Sequence, residues 1–286
     1  MKRFKHGTLL FFLTILLLVT SSIKVNADMG PKPFVNIEIT GMEDISYTAT
    51  LISKDATGPY FDYEEWLEGD YSNIEYHPIM EYVDSEGYKW VGEYWSIEGN
   101  GSFNWGYYPP RNFKVLLMTD DGEYYATEVL ERYAFATYYK VNASETIAGE
   151  LDAVRVVESV KPNYNYGREI VGFLIRVILT VAIEIGIALL FGFRKKRQLI
   201  TILIVNMVTQ IFLNGTLNIV TYYQGILSAM LLFVIAEIFV LLFETIFYSF
   251  YFKEDRLKGG IYGFVANLVT LVAGFGLYVL ELAIFS

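Results

Sequence analysis

The feature that most constrains this chain is an apolar segment, residues 199–220, that carries polar side chains at helical spacing. The segment reads LITILIVNMVTQIFLNGTLNIV and is long enough to cross a bilayer as a helix. Spacing of three to four residues places the polar side chains on one face, where hydrocarbon offers them no hydrogen-bond partner. Other helices must therefore cover this face. Its members are Asn206, Thr209, Gln210, Asn214 and Asn218.

Four apolar segments of this length follow one another in the second half of the chain. Each reaches the length of about 20 residues that a helix needs to cross the hydrocarbon core. The sequence therefore predicts a four-helix transmembrane domain over residues 170–286. The predicted spans are residues 170–193, 199–220, 226–251 and 260–284.

Two acidic residues, Glu184 and Glu237, fall near the middle of the first and third predicted spans. An ionised carboxylate at that depth costs about 2.5 to 3.5 kcal/mol on insertion scales, so each must be paired, protonated or functional. Carboxylate and amide oxygens together could take a proton, a hard cation or an ammonium group. Alternatively, they only bond one helix to another. The predicted intramembrane polar site comprises Glu184, Asn206, Thr209, Gln210, Asn214, Glu237 and Glu244.

Further polar side chains border this site. Arg176 lies nearer the outer end of the first span, where its guanidinium could pair with Glu184 or reach the headgroups. Asn267 and Thr270 could extend the polar interior from the fourth span. For Thr270 and Asn218, hydrogen bonding between helices is the preferred interpretation.

Residues 1–27 have the pattern of a secretory signal peptide, with basic residues, a short apolar run and a small-residue cleavage site ending at Ala27. An uncleaved signal anchor is the alternative. Between the spans, positive charge is confined to the first and third linkers, at residues 194–197 and 253–258. Because positively charged loops stay inside, we expect the region before the spans and the C-terminus to be extracytoplasmic. The predicted location is the cell membrane, which the chain crosses several times.

Residues 28–145 alternate apolar and polar side chains over short runs that are separated by turn residues. In the first run, Val35, Ile37 and Ile39 alternate with polar neighbours, as in a half-buried strand. Roughly seven such strands predict an extracytoplasmic antiparallel β-sandwich of immunoglobulin-like or transthyretin-like kind. A polar connector, residues 146–169, would join this domain to the four-helix transmembrane bundle.

The net negative charge of the chain is concentrated in the region before the spans. Residues 28–168 contain 25 acidic and 10 basic residues, a net charge of about −15. Such a surface repels phosphates, so no nucleic-acid partner is expected, whereas a small cationic ligand is compatible with it. The absence of cysteine excludes disulfides and thiolate metal sites. The spans also lack histidine, which removes the usual general bases of an enzyme, so no catalytic residue and no cofactor is predicted.

Aromatic side chains in two loop-like stretches could contact a ligand: Trp66, Trp105, Tyr107 and Tyr108. Filling the core of a domain without disulfides is the alternative and preferred interpretation. Four acidic residues could hold a calcium ion, but hairpin turns explain them without a metal. These residues are Asp84, Glu86, Asp120 and Asp121.

Several motifs resemble a family of uncharacterised membrane proteins of Gram-positive bacteria. They are ADMGPKP at 27–33, WGYYPP at 105–110, ERYAF at 131–135, and the succession of Glu184, a basic linker, Asn206, Thr209, Asn214 and Glu237. The resemblance covers nearly the whole chain and implies a secreted β domain followed by several spans, but no activity. Where that family has Asn-Pro or His-Pro after the threonine, this chain has Gln210-Ile211, so a role that needs the proline does not transfer.

Together these features predict an extracytoplasmic ligand-sensing or transport-associated envelope protein with a polar intramembrane site. Its expected partners are the lipid bilayer, a small extracellular ligand or a cation, and either further copies of the chain or another membrane protein. A structural or partner-binding membrane protein is one alternative. A ligand-gated channel is another, although the outer domain is short for that class. An intramembrane enzyme is the least favoured.

Overall fold

The computed structural model of the chain describes residues 31–55, 61–69, 74–148 and 154–285. The predicted signal peptide, residues 1–27, lies outside these ranges. The chain divides into two compact units. The β unit contains Lys32–Val171 with Thr221–Gly225, and the helical unit contains Gly172–Val220 with Ile226–Ser286.

The β unit is built on a ten-stranded sheet. Its strands are β1 (Phe34–Thr40), β2 (Ser46–Ser53), β3 (Lys89–Trp90), β4 (Trp95–Glu98), β5 (Gly101–Trp105), β6 (Asn112–Thr119), β7 (Tyr124–Thr127), β8 (Leu130–Glu131), β9 (Ala136–Ala148) and β10 (Val154–Pro162). A short helix, α1 (Tyr63–Glu68), and a 3-10 helix (Pro78–Glu81) lie between β2 and β3.

The sheet has the strand order β3-β2-β6-β7-β10-β9-β1-β5, with β4 paired to β2 and β8 paired to β6. Most neighbouring strands are antiparallel, as predicted. Two pairs, β1 with β9 and β7 with β10, are parallel. Alternation of side chains indicates where strands lie but not which strands pair, so the sequence could not reveal these two pairs.

The core of the β unit follows the predicted alternation. Val35, Ile37 and Ile39 of β1 are fully buried, whereas the residues between them are half-buried. Along β2, every residue after Ser46 is buried, which places this strand in the interior with both faces covered. Trp90 and Trp105 are the largest fully buried side chains of the unit. Aromatic rings of this size supply much of the apolar area that a domain without disulfides must bury.

The sheet extends further along the chain than its predicted end at residue 145. Strand β10 lies within residues 146–169, the segment predicted to be a connector. It pairs with β9 on one side and β7 on the other. The connector prediction is wrong for this strand, because the charged residues of VRVVESVKP conceal an alternation in which Val157 is buried.

The helical unit consists of four long apolar helices. They are α2 (Tyr166–Leu190), α3 (Lys196–Gln224), α4 (Ile226–Tyr251) and α5 (Arg256–Phe285). All four are long and apolar enough to cross a membrane, α5 over residues 256–277. A β domain followed by a four-helix bundle is the predicted architecture, and the structure confirms it. This is the architecture of a multi-pass membrane protein.

Glycines in the left-handed region separate successive helices. Gly192 has a φ of 80° after α2, and Gly225 has a φ of 83° between α3 and α4. Glycine adopts this conformation without the strain that a Cβ atom would add, so both helices end sharply there.

Candidate functional site

The bundle buries every polar residue of the predicted intramembrane site. Glu184 and Glu244 are 0% exposed and Glu237 is 4% exposed. The remaining members, Asn206, Thr209, Gln210 and Asn214, are buried along α3. The amide-bearing face of α3 therefore points into the helical unit, as its spacing requires.

Glu244 is held by two neutral donors from neighbouring helices. The Thr209 hydroxyl of α3 donates to Glu244 Oε1 at 2.7 Å. The Asn267 amide of α5 donates to Glu244 Oε2 at 3.1 Å. Both oxygens of this carboxyl are thus satisfied, and three helices meet at it.

Glu184 has a different environment. Both of its carboxyl oxygens are buried and, within the described part of the chain, neither has a hydrogen-bond partner. Its electrostatic neighbours are Glu244 and Glu237, and the Asn206 side chain interacts with it. The Tyr262 hydroxyl reaches the backbone carbonyl of Glu184 at 3.4 Å, not the carboxyl.

Two tyrosines that were not predicted to belong to the site complete this cluster. Tyr248 and Tyr262 are 0% exposed, and the Tyr248 hydroxyl accepts a hydrogen bond from Asn206 Nδ2 at 3.2 Å. Their ring centroids are 5.2 Å apart. Tyr248 lies one helical turn after Glu244, which was a signal that could have identified it.

Gln210 and Asn214 belong to a second network. Asn214 Nδ2 donates to Gln210 Oε1 at 3.0 Å. Arg176 donates from Nε to Asn214 Oδ1 at 3.0 Å and from a terminal nitrogen to Asn218 Oδ1 at 2.9 Å. Pairing with Glu184 and reaching the headgroups were the two expectations for Arg176, and the structure shows instead that it cross-links α2 to α3. Asn218 bonds between helices, as expected.

Glu237 stands apart from both networks. It lies two turns before Glu244 on α4, and Glu244 is its electrostatic neighbour. Its Oε2 is buried and finds no partner among the described side chains. The sequence places Glu184 and Glu237 near the middle of their spans, but Asn206 and Glu244 are the first neighbours of the Glu184 carboxyl.

Basic side chains do not neutralise these carboxyls. None of the described lysines and arginines forms an ion pair with Glu184, Glu237 or Glu244. The same residues contain no group of three or more acidic, histidine or cysteine side chains placed to hold a metal ion. The three acidic groups are therefore buried without an observed ion-pair partner among the described residues.

In the β unit, the aromatic residues predicted to contact a ligand separate into two classes. Trp105 lies in β5 and is 0% exposed, so the prediction that it lies in a loop is wrong. Its ring packs 5.6 Å from that of Trp95 in the core. Tyr107 and Tyr108 do lie in a loop, with ring centroids 5.0 Å apart, and Lys32 Nζ is within 5.7 Å of both rings.

Trp66 lies on α1 and forms a surface cluster with two tyrosines. Its ring is 6.0 Å from that of Tyr63, with which it stacks, and 6.3 Å from that of Tyr76. Both tyrosine hydroxyls donate to Glu81 Oε1, at 3.0 and 2.7 Å. The hydrogen bond to Glu81 raises the pKa of Tyr76 to about 12. Aromatic faces and a carboxylate together are able to bind a cationic group.

The residues considered for calcium have structural partners. Asp84 accepts hydrogen bonds from the backbone amides of Glu86 and Tyr88, at 2.9 and 2.8 Å, and from Lys114 Nζ at 2.7 Å. Burial opposes the ionisation of Asp84, but these donors outweigh it and lower its pKa. Asp121 accepts from the Thr119 hydroxyl in the β6–β7 turn. These contacts favour the hairpin-turn interpretation.

Comparison with known protein families, curated proteins and solved structures finds no match to this chain. The resemblance to Gram-positive membrane proteins stays a prediction, and the function has to be argued from the geometry.

Proposed function

We propose that this chain is a sensing or transport-associated envelope protein, in which a proton- or cation-binding site inside the membrane serves an extracytoplasmic β domain. One observation carries the proposal: three fully or nearly fully buried carboxyls lie in a helix bundle without a basic partner among the described residues. Burying a charge inside a membrane is costly, and residues that do so usually serve ion or proton pathways.

The arrangement around Glu184 supports a functional over a purely structural role. A network that only joined helices would bring donors to every acceptor, as happens at Glu244 and at the amides that bind Arg176. Within the described part of the chain, no side chain or backbone group donates a hydrogen bond to the carboxyl oxygens of Glu184. A buried carboxyl group without hydrogen-bond donors has both oxygens available to bind a proton or a cation.

The orientation of the chain is inferred from the linkers. Residues 194–197 and 253–258 carry the positive charges between spans, which favours a cytoplasmic location for both. The linker between the second and third spans, residues 221–225, carries no positive charge, which favours the outer side of the membrane for it. A β domain and a C-terminus outside the cell agree with both facts.

Binding at the β domain is assigned to the cluster of Tyr63, Trp66, Tyr76 and Glu81. The net charge of about −15 over residues 28–168 attracts cations, and the cluster presents aromatic faces beside a carboxylate. A small cationic ligand outside the cell is the class that this chemistry would recognise.

The test uses Glu184→Gln and Glu237→Gln, which keep side-chain size and hydrogen-bonding capacity but remove the charge. A proton or cation site should lose function at normal protein abundance, because the charge is what binds. The measurements are protein level in the membrane and rescue of the phenotype that deletion of the gene produces. Asn218→Ser, which alters a polar residue of the Arg176 network, is the matched control. If both glutamine variants rescue fully, the carboxyls are structural and the proposal fails.

A further inference from the structure

The core of the bundle has more hydrogen-bond acceptors than donors. Six buried side-chain oxygens of the bundle lack a hydrogen-bond partner among the described residues, and four of them belong to three side chains: Glu184 Oε1, Glu184 Oε2, Asn206 Oδ1 and Asn267 Oδ1. All three side chains are 0% exposed. Unpartnered buried polar atoms are rare in folded proteins, so four in one network require an explanation.

The orientation of both amides is fixed by their donors. Asn206 Nδ2 donates to the Ile202 carbonyl at 3.0 Å, and Asn267 Nδ2 donates to the Gly263 carbonyl at 2.9 Å. A backbone carbonyl can only accept a hydrogen bond, so the nitrogen of each amide must face it. The amide oxygens then point away from their own helices. Exchanging oxygen and nitrogen would place two acceptors against each other.

These oxygens belong to one network around Glu244. Asn267 Nδ2 also donates to Glu244 Oε2 at 3.1 Å, which brings α5 to α4. Glu184 of α2 interacts with Asn206 of α3 and has Glu244 as its strongest electrostatic neighbour. The unpartnered acceptors thus come from α2, α3 and α5, on side chains that contact Glu244 of α4 or a neighbour of it.

A proton alone does not satisfy this set. Protonation of Glu184 supplies one O–H donor, which can serve at most one of the amide oxygens. The other amide oxygen would stay unpartnered. A metal cation is different, because it accepts electron pairs from several oxygens at once.

From this surplus we infer that Glu184, Asn206 and Asn267 bind a dehydrated alkali-metal cation of the sodium class. The inference rests on the proposed function and names the ligand of the same site. Carboxylate and amide oxygens are the hard ligands that such cations prefer. Glu184 is the one acidic residue among these three ligands, and its carboxylate balances a single positive charge. A calcium ion takes six to eight oxygens and usually several carboxylates, and the described residues hold no cluster of three acidic groups that could coordinate it.

The test is thermal unfolding of the full-length protein, purified in detergent, in chloride salts of equal ionic strength and fixed pH. The salts are those of lithium, sodium, potassium, calcium and N-methylglucamine. One alkali-metal ion should raise Tm in a saturable way, by on the order of 5 °C relative to N-methylglucamine, because a ligand that binds only the folded state stabilises it. Calcium should not reproduce this rise.

Two variants test whether the rise in Tm comes from cation binding at Glu184. Glu184→Gln should abolish it, and Asn218→Ser, in the separate Arg176 network, should retain it. A rise that persists in Glu184→Gln places the ion elsewhere and overturns the inference. If Glu184→Gln does not fold, the salt series on the parent protein still decides, together with Asn206→Ser, which removes one amide oxygen and should weaken the rise.

The failure of this inference is distinguishable from failure of the proposed function. Equal Tm in every salt, together with a pH dependence of Tm that Glu184→Gln removes, contradicts the cation and leaves a proton site. Equal Tm in every salt and no effect of Glu184→Gln on either the pH dependence or the cellular phenotype contradicts both.

Discussion

Glu184 and Glu244 are equally buried but differ in their hydrogen bonds. Glu244 has a donor for each oxygen, whereas Glu184 has none among the described residues. The sequence predicted that both would face the bundle interior. Which of the two would be satisfied depends on side chains from neighbouring helices, and residue spacing along one helix does not contain that information.

Removing a donor from Glu244 should destabilise the bundle. Thr209→Val keeps the shape of the side chain but deletes the hydroxyl that contacts Glu244 Oε1 at 2.7 Å. We expect a loss of about 1–2 kcal/mol, since interhelical hydrogen bonds in membranes are modest but an unpaired buried acceptor adds a penalty. Thermal unfolding in detergent measures it. Thr209→Ser, which keeps the hydroxyl, serves as the control, and equal Tm for the valine variant and the parent would contradict the role assigned to this contact.

A histidine in the β unit should make stability depend on pH. His77 caps the 3-10 helix through Nδ1, which accepts from the Ile79 amide at 3.2 Å. Burial lowers the pKa of His77 from its ordinary value of 6.5, against a smaller opposing effect of Asp120. As the pH falls through about 6.5, the unfolded chain binds a proton before the folded chain does. This contribution to the free energy of unfolding is therefore complete above pH 6.5 and declines below it.

The variant His77→Asn provides the comparison, because asparagine can cap the helix but does not titrate. All four tryptophans of the chain precede residue 106, so tryptophan fluorescence during urea unfolding follows the β unit of the intact protein. The difference in unfolding free energy between the parent and the variant should change between pH 7 and pH 5. A difference that is constant over this range would show that His77 is not the titrating group.

Helices α4 and α5 approach each other closely at glycine residues of α5. A Cβ atom on Gly259 would lie 2.6 Å from the Tyr248 carbonyl oxygen, and one on Gly263 would lie 2.9 Å from Thr245 Cα. Two glycines four residues apart let helices pack closely in membranes, where small residues take the place of hydrophobic attraction. This approach also brings Asn267 to Glu244.

Gly263→Leu should separate the two helices and break the bond between Asn267 and Glu244. The expected cost is about 1–3 kcal/mol, as for other overpacked interiors. Gly276→Leu is the matched control, because a Cβ atom there meets nothing within 4 Å among the described residues. Thermal unfolding in detergent compares the two. Similar Tm values for both variants would contradict the close packing.

The sequence patterns predict the helices of this protein more completely than its strands. The structure places four helices over the four predicted spans, because an apolar run of sufficient length determines a membrane helix almost by itself. Strand β10 and the strand position of Trp105 were missed, since charged residues mask the alternation of the first and the Gly-Tyr-Tyr-Pro-Pro that follows Trp105 resembles a loop. The two parallel strand pairs depend on contacts across long sequence separations, which local patterns do not record.

We expect the β domain and the C-terminus to lie on the same, outer side of the membrane. A reporter enzyme fused after Ser286 should be active outside the cell, because the positive charges of the two basic linkers favour a cytoplasmic location for those linkers. The same reporter fused within residues 194–197 should be active inside. Cytoplasmic activity of the C-terminal fusion would contradict the four-span topology.

The buried carboxyls of the bundle are expected to bind a proton or a cation. Infrared difference spectroscopy of the full-length protein in lipid measures this directly, by following carboxyl bands as pH and alkali-metal concentration are changed. We expect a carboxyl band that responds to at least one of these changes and disappears in Glu184→Gln. Carboxyl bands of the spans that stay constant across pH and cation, in the parent and in Glu184→Gln alike, would contradict this expectation.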